Sequence, residues 1–510
     1  MASITQKTQD ALISTRVIEM PELLDLICSF ADVSDCARLS RTSKAAFEIA
    51  VPFVWREVEG VKNILSLIGA TYTMKIENFY GPEPIITVPS LDLAFGDFTR
   101  LNLYGPLVHM LHIWGPPETE YSHYQIHDWE RLMPYAQHQT LLPNLSSLIF
   151  SHSSRGFNYP LWIRLFVSPS LTSILIDHYS EPDQPWITVS MADIVLDILA
   201  EECPRLFRLA IFPTYDANEE ELDPPHGLIK PMTGCAHHQL LREFTALSEL
   251  TCPLTLLKRQ SFVAIGSLPG LRRLCINAKS DSGDLEPDVI SPGSFPKLQE
   301  LCLADTLTPF ETIQILNILP LVEKITRLEL AYTTGDFEDG GDIENHAEHI
   351  VSEVLPPLKN ARCLSVLDFY VNYDGASIDD NGPYDVGHQS LVEIFAALPL
   401  HTIVMRGAHI GSWMRDSDAL SVAWSNMVKV SLWDQKTPLD SLWCFTHLPK
   451  LEFLLLAVQF ETASETPAAI PISPLQTLEC SAYRYKQYDV DQVSYFDQFV
   501  KSMRGAQVMM

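Results

Sequence analysis

The sequence predicts an α/β fold: a small N-terminal module of three helices, followed by a solenoid built from a curved parallel sheet with helices on its outer side. A six-residue template, apolar-x-x-apolar-x-apolar, recurs from Phe98 to Cys480. Seven of the intervals between successive copies are 24 to 27 residues long. Helical patterns occupy the intervals, and strands that alternate with helices at a fixed period are typical of stacked repeats.

The first element is a helix that opens at Met20-Pro21. Proline suits a first helical turn, where its missing N–H would be unpaired in any case. The apolar residues that follow are spaced for one helical face; they are Leu23, Leu24, Ile27 and Phe30.

Two further short helices are predicted before residue 58. Ser34 and Asp35 are predicted to cap a helix that runs through Leu39, and Ser43 to cap the next. Pro52 is expected to interrupt that last helix, so that the chain turns and folds Trp55 back onto it. About forty residues bury little core alone. The apolar side chains that this module cannot bury by itself therefore predict a partner.

Residues 17–58 resemble the F-box, the adaptor-binding module of cullin-type ubiquitin ligases. The resemblance covers 42 of 510 residues. The sequence of this stretch is most similar to F-box proteins of fungi. It departs from the usual pattern in having Met-Pro where Leu-Pro is common. An amphipathic helical cap on the following domain is the alternative. The matching positions are Met20-Pro21, Glu22-Leu23-Leu24, Ile27, Phe30, Leu39-Ser40-Arg41-Thr42 and Trp55-Arg56.

The resemblance implies that this module docks a Skp-type adaptor and, through it, cullin and RING subunits. Leu23 and Ile27 are expected to make direct contact, whereas Trp55 is expected to lock the helices together. The residues implied to form or support the adaptor contact are Met20, Pro21, Leu23, Leu24, Ile27, Phe30, Leu39 and Trp55.

The body of the chain repeats. The period and the strand pattern match leucine-rich repeats, and the order of F-box then leucine-rich repeats resembles a class of ubiquitin-ligase substrate receptors. Six copies have proline two residues before the first apolar position, and longer intervals are interpreted as insertions. The thirteen copies begin at Phe98, Leu145, Leu171, Leu206, Leu247, Leu271, Leu298, Ile325, Leu364, Leu400, Met427, Leu451 and Leu475.

Helices are predicted between the strands. Thr308-Pro309 opens one as a capping box, Ser190 precedes a second, and Thr437-Pro438 begins a third. Residues 487–503 are expected to form a capping helix that closes the last repeat. The predicted domains are a disordered tail (1–15), the F-box-like module (16–58), a linker and N-terminal cap (59–97), the repeat domain with loop insertions (98–485) and a C-terminal capping helix and tail (486–510).

Polar residues of the template are expected on the concave sheet face. The third positions read Arg208, Glu249, Arg273, Glu300 and Arg327, which predicts a ladder of cross-strand ion pairs in preference to a site for an acidic ligand. The residues just after the template are aromatic or arginine, the composition of binding hot spots. They are either target-binding residues or packed under insertion loops: Phe212, Tyr370, Arg406 and Trp433. The insertion 105–140 is either a recognition loop or a flap.

Composition limits the function classes. With 35 basic and 64 acidic residues the net charge is −29, which disfavours nucleic acid as a partner because phosphates need a basic footprint. The first residues hold no apolar run, so no signal peptide is expected, and no apolar stretch approaches the ~18 residues of a membrane span. The ten cysteines lack CxxC pairs, so reduced thiols in the cytoplasm, the nucleus or both are expected.

No catalytic motif stands out, and no enzyme activity and no cofactor are predicted. His237-His238 near Cys235, and His346 with His349, lack the further ligands of a zinc pattern, so no metal is expected. The sequence therefore favours a non-catalytic substrate-recognition subunit of an SCF-type ubiquitin ligase that holds an unknown target protein. The alternative is a leucine-rich-repeat interaction scaffold outside any ligase.

Overall fold

The chain forms two compact units, Met1–Leu247 and Ser248–Met510. The structure is a computed structural model. It describes residues 20–68, 72–78, 81–87, 98–113, 125–127, 136, 139–150, 159–176, 186–214, 236–257, 259–276, 290–304, 307, 309–333, 353–372, 384–385, 393–409, 417–438, 442–445, 447–459, 475–482 and 507–509.

The three predicted N-terminal helices are present: α1 (Pro21–Phe30), α2 (Val33–Leu39) and α3 (Lys44–Trp55). Pro21 occupies the first turn of α1 as expected. The Ser43 hydroxyl accepts a hydrogen bond from the Ala46 N–H at 3.1 Å, which confirms the predicted cap of α3. The cap predicted at Ser34 and Asp35 is wrong, because α2 begins at Val33 and Asp35 forms an ion pair with Arg38 at 3.0 Å.

Pro52 does not interrupt α3, which was predicted to break there. Proline deprives the Glu48 carbonyl of its intrahelical donor and disfavours a helix interior. The helix continues because its last turn is anchored: Phe53 and Val54 pack against the core of the module. Tertiary packing therefore outweighs the local preference. The core and the residues against it are Cys28, Cys36, Ala50, Ala31, Leu39, Phe53 and Val54.

The first unit continues as a parallel sheet with a smaller second sheet. Strands β1, β4, β6, β7 and β9 pair in that order, every pair parallel. β2 and β3 form an antiparallel pair with β5 alongside β3, and β8 pairs with β10. Turns of 3₁₀ helix lie at Gly105–Leu107 and Leu241–Glu243. The elements are β1 (Glu57–Glu59), α4 (Val61–Leu65), β2 (Tyr72–Asn78), β3 (Gly81–Thr87), α5 (Thr99–Tyr104), β4 (Met110–His112), β5 (Gln125–His127), β6 (Ser147–Phe150), α6 (Tyr159–Phe166), β7 (Ser173–Ile176), β8 (Trp186–Thr188), α7 (Val189–Glu202), β9 (Arg208–Ala210), β10 (Phe212–Thr214) and α8 (His237–Leu240).

The second unit is a longer parallel sheet of the same kind. Strands β11 to β15, then β17, β19, β20, β21 and β22, pair in sequence order and all in parallel. β16 pairs with β18, and 3₁₀ turns lie at Leu254–Leu257 and Pro356–Asn360. The elements are β11 (Glu249–Cys252), α9 (Arg259–Gly266), β12 (Arg273–Ile276), β13 (Glu300–Leu303), α10 (Pro309–Leu316), α11 (Leu319–Val322), β14 (Arg327–Thr333), β15 (Val366–Asn372), β16 (Tyr384–Asp385), β17 (Thr402–Arg406), β18 (Ala408–His409), α12 (Ser417–Ala423), β19 (Lys429–Pro438), α13 (Leu442–Phe445), β20 (Phe453–Gln459), β21 (Thr477–Ala482) and β22 (Gln507–Met509).

Each unit is therefore an α/β solenoid, as the repeat predicts. The strand begins two residues after the first apolar position in twelve of the thirteen copies, from β6 to β21. In the copy at Leu298 all three apolar side chains, including Leu301 and Leu303, are buried. Side chains alternate across a strand, so the template buries one face of the sheet and leaves the other for polar residues.

The copy predicted at Phe98 is wrong, because these residues form α5 instead of a strand. Phe98 and Leu101 are buried whereas Leu103 is exposed. A spacing of three residues is also one helical turn, so the template is ambiguous here. The strand of this repeat is β4, and a copy that was overlooked, Val108-x-x-Leu111-x-Ile113, frames it.

The predicted connecting elements have mixed outcomes. Helix α10 begins at Pro309 as predicted, and α7 begins next to Ser190, with its cap at Thr188. The helix expected at Thr437-Pro438 is wrong, because those residues end β19 and the helix begins at Leu442. The tail 1–15 and the capping helix 487–503 lie outside the described residues. Residues 507–509, predicted as tail, form β22, and the first sheet strand lies at 57–59, well before the predicted start at 98.

Candidate functional site

Helix α1 presents an apolar face to solvent. Leu23, Ile27 and Phe30 follow the i, i+4, i+7 spacing of one helical face, and the Phe30 side chain is 85% exposed. Leu24 and Cys28 point the other way and are buried, so the prediction that Leu24 shares this face is wrong. We call Leu23, Ile27 and Phe30 the α1 face. The other exposed large apolar residues of the module are Met20, Leu26, Val33 of α2 and Phe47 of α3.

The remaining predicted adaptor residues have supporting positions. Leu24 is 1% exposed, so it can act only by holding α1 in place. Leu39 packs partly buried against the Cys28 and Cys36 core. Pro21 is exposed at the start of α1.

Trp55 joins the helical module to the sheet of the first unit. It is the last residue of α3 and is half-buried. Its ring stacks on Tyr104 of α5 with centroids 4.9 Å apart and an interplanar angle of 24°. The predicted return of Trp55 onto its own helix is thus replaced by a contact with a later helix. Since β1 begins at Glu57, this stack fixes the module beside the first strand.

The polar face of the second unit aligns four residues of the predicted charge ladder and shows one of its ion pairs. Glu249, Arg273, Glu300 and Arg327 are register partners across β11 to β14. Arg273 Nε lies 3.9 Å from Glu300 Oε2, and its Nη2 lies 3.6 Å from Glu329 Oε2. The Arg273–Glu300 pair is as predicted, and Glu329 is an additional partner. Arg208 lies in the first unit, with its Cζ 5.9 Å from the centroid of the Phe207 ring.

Three of the four predicted target-binding residues come together on the second unit. Tyr370 and Arg406 are register partners on β15 and β17. The Arg406 guanidinium carbon lies 5.6 Å from the centroid of the Trp433 ring, within the range of a cation–π interaction. Tyr370 is 36% and Trp433 41% exposed. Phe212 differs, because its side chain is completely buried in the first unit. An exposed ring at Phe212 was therefore a wrong expectation.

A second pair on this face was missed. Lys429 Nζ lies 4.8 Å above the centroid of the Phe453 ring, on the neighbouring strand. Both are third positions of their template copies, the same positions that predicted the charge ladder in earlier repeats. We call Tyr370, Arg406, Lys429, Trp433 and Phe453 the cation–aromatic patch.

Acidic residues border this patch. Glu329 and Asp368 are register partners on β14 and β15. Burial, and then the neighbouring Glu329 carboxylate, raise the pKa of Asp368, although Arg406, Arg327 and Lys429 act in the opposite direction. The carboxyl group of Asp368 is therefore less readily ionised than an ordinary aspartate.

The buried thiols do not form a reactive site. Burial raises the pKa of Cys28 to about 11 and that of Cys203 to about 12. Cys275 and Cys302 are register partners, and the hydrogen bond between them, then burial, raise the pKa of Cys302. Because the thiolate is the reactive form, these side chains act as small apolar core residues.

The histidines with metal-like spacing do not form a metal site among the described residues. His237 Nδ1 lies 2.9 Å from Asp193 Oδ1, and Cys235, His346 and His349 lie outside the described residues. Within the described part of the chain, no three histidine, cysteine or carboxylate side chains are grouped as metal ligands would be. No described helix combines the length and apolar character that a bilayer span requires.

No protein-family model and no curated protein sequence matches the chain. Solved structures of similar fold include the TLR13–ssRNA13 complex, with a TM-score of 0.38 and 13% identity over 74% of this chain. An internalin (inlF) from Listeria monocytogenes has a TM-score of 0.32 and 12% identity, with 79% of this chain and 87% of that chain covered. Mouse RP105 in its complex with MD-1 has a TM-score of 0.32 and 14% identity, with 82% of this chain and 77% of that chain covered. This chain spans 43% of the TLR13 chain. At such scores the fold assignment rests on the strand register of the chain itself.

Proposed function

We propose that this chain is a non-catalytic substrate-recognition subunit of an SCF-type ubiquitin ligase. The helical module would dock a Skp-type adaptor, which links to cullin and RING subunits, while the polar face of the repeats holds a target protein. The proposal assigns no catalytic step to this chain, since ubiquitin transfer would belong to the other subunits. Eight of the cysteines in the described part of the chain are free thiols, which suits the reducing cytoplasm or nucleus.

The observation that carries the proposal is the α1 face. A soluble protein rarely leaves a run of large apolar side chains exposed unless a partner covers it. Here Leu23, Ile27 and Phe30 are exposed along one helix while Leu24 and Cys28 bury the other side. The module thus already has a core, and its outward residues are available for a second protein. These outward residues are also positions that carry the resemblance to the F-box.

Fixed placement of the module adds support. A receptor must hold its target at a defined distance from the ligase, so a loosely tethered adaptor module would be ineffective. The stack of Trp55 on Tyr104 and the start of β1 at Glu57 leave no flexible connection between α3 and the first strand. In this role Trp55 positions the adaptor module and need not touch the adaptor.

Co-purification of the full chain with a Skp-type adaptor tests the proposal. Leu23→Asp/Ile27→Asp places two carboxylates in the α1 face and should abolish the complex, because a buried unpaired charge costs several kcal/mol. The matched control is Phe310→Asp/Leu319→Asp, which changes two apolar residues of the second unit that are more exposed than Leu23 and Ile27. We expect this control to retain the adaptor.

Absence of a complex between the wild-type chain and the adaptor would contradict the proposal. If the folded wild-type chain forms no complex with the adaptor, the ligase proposal fails and the chain is better explained as a repeat scaffold outside a ligase. Circular dichroism of each variant would establish that the repeat domain remains folded.

A further inference from the structure

We propose that the cation–aromatic patch binds an acidic, extended segment of a protein partner, with carboxylates of the segment against Arg406 and Lys429 and an apolar side chain against Trp433 and Tyr370. The inference rests on the proposed function only in identifying that partner as the ligase target.

The described residues place no carboxylate in a close ion pair with either cation of the patch, although both cations interact electrostatically with Asp368. Among the described residues, Arg406 contacts the Trp433 ring and Lys429 the Phe453 ring, and neither has a carboxylate within ion-pair distance. Arg273, on the same face, has two carboxylate partners, Glu300 and Glu329. In a chain with 64 acidic and 35 basic residues, two exposed cations that form no close ion pair with a described carboxylate are available to an anionic ligand.

The bordering carboxylates leave these cations available. Glu329 is engaged by Arg273 at 3.6 Å. Asp368 is half-buried next to Glu329, and burial raises its pKa, so its ionised form is less favoured than that of an exposed aspartate. An incoming carboxylate held by an exposed arginine would face less competition than elsewhere on this surface.

The aromatic rings supply the apolar part of the site. Tyr370 and Trp433 are partly exposed on either side of Arg406. Tryptophan, tyrosine and arginine are the residues most enriched at interface hot spots. An acidic segment that also carries an apolar side chain would therefore use both components. A nucleic acid would stack on the same rings, but two cations are few for a phosphate backbone and the net charge of −29 opposes it.

The geometry specifies the spacing of the charges. Met405 pairs with Leu432, so Arg406 lies beside Trp433, the fifth residue of β19, whereas Lys429 begins that strand and pairs with Thr402. Four residues along a strand and one strand across amount to about 14 Å between their backbones. An extended segment spans this distance in about four residues. The partner is thus expected to carry two acidic residues about four positions apart.

Selection from a random library of short peptides tests the inference, with the immobilised full chain as bait. We expect enriched peptides to contain more Asp and Glu than Lys and Arg, with acidic pairs at that spacing and an apolar residue nearby. Arg406→Glu/Lys429→Glu should reduce their binding by about tenfold or more. The matched control, Lys359→Glu/Arg362→Glu, makes the same charge change at exposed positions before β15 and should leave binding within about twofold.

Several results would overturn the inference. These are no enrichment, enrichment of neutral or basic peptides, or equal loss in the control variant. Binding of single-stranded oligodeoxythymidine that is lost in the patch variant would point to nucleic acid instead. If charge reversal unfolds the chain, Arg406→Gln/Lys429→Gln supplies the same comparison. Adaptor binding is measured on the same preparations, so that failure of the patch and failure of the ligase proposal are told apart.

Discussion

Phe30→Ala probes the proposed adaptor surface with one side chain. Phe30 is 85% exposed, and its truncation removes no contact of the module core. A phenylalanine offers about 200 Å², so about 170 Å² is free, and at about 25 cal/mol per Å² its complete burial by a partner contributes about 4 kcal/mol. Alanine retains part of this area, so we expect a loss of about 2–3 kcal/mol, which is about 30- to 150-fold in Kd.

Isothermal titration calorimetry with a purified Skp-type adaptor measures this loss. The control is Phe310→Ala, because Phe310 is also a helical phenylalanine exposed by 62% but lies in the second unit. We expect the control to match the wild type and both variants to melt at the wild-type temperature, since surface truncations change stability by less than about 0.5 kcal/mol. An unchanged affinity in Phe30→Ala would refute the assignment of the α1 face.

Three further predictions concern stability and reactivity. Trp55→Ala should lower the free energy of unfolding by about 2 kcal/mol, less than the ~3–5 kcal/mol lost on truncating a fully buried tryptophan. A double-mutant cycle with Tyr104→Ala should give a coupling energy of about 0.5–1.5 kcal/mol. Purely additive effects of the two substitutions would argue against the stack. Because the pKa of Asp368 is raised in the folded protein, its contribution to the free energy of unfolding is largest below the ordinary pKa of 3.8 and is lost as the pH rises through the folded pKa. In denaturant titrations between about pH 4 and pH 7, the free energy of unfolding of Asp368→Asn should therefore increase relative to the wild type as the pH rises. A difference that stays constant with pH would contradict the burial effect. In iodoacetamide labelling near pH ~8 followed by mass spectrometry, exposed Cys363 should react first while Cys28 and Cys203 stay protected until unfolding; early modification of Cys28 would be inconsistent with its buried position.

Much of the fold was predictable because burial follows a fixed period. In the copies of the template that begin at Leu271 and Leu451, a parallel strand begins two residues after the leucine. The prediction failed at Phe98, where apolar residues three apart also fit a helix. It failed at Pro52 because the packing of Phe53 and Val54 depends on contacts that are remote in sequence.

The candidate sites were less predictable, for a related reason. Leu23 and Leu24 are adjacent and equally apolar, so the sequence alone does not say which of them faces outward. Burial of Leu24 beside Cys28 decides it. Likewise, Phe212 and Tyr370 both follow a strand template, yet only Tyr370 is exposed. The Lys429–Phe453 contact depends on the register of two strands and on the orientation of two side chains, which the repeat spacing alone does not specify.

The mass of the particle formed with the adaptor tests the central claim most directly. The full chain of 57.4 kDa is mixed with a Skp-type adaptor at about micromolar concentration and analysed by size-exclusion chromatography with light scattering. We predict a single species with the mass of one chain plus one adaptor, and separate elution of the two proteins for Leu23→Asp/Ile27→Asp. A folded wild-type chain that elutes at its own mass, with the adaptor free, would contradict the claim.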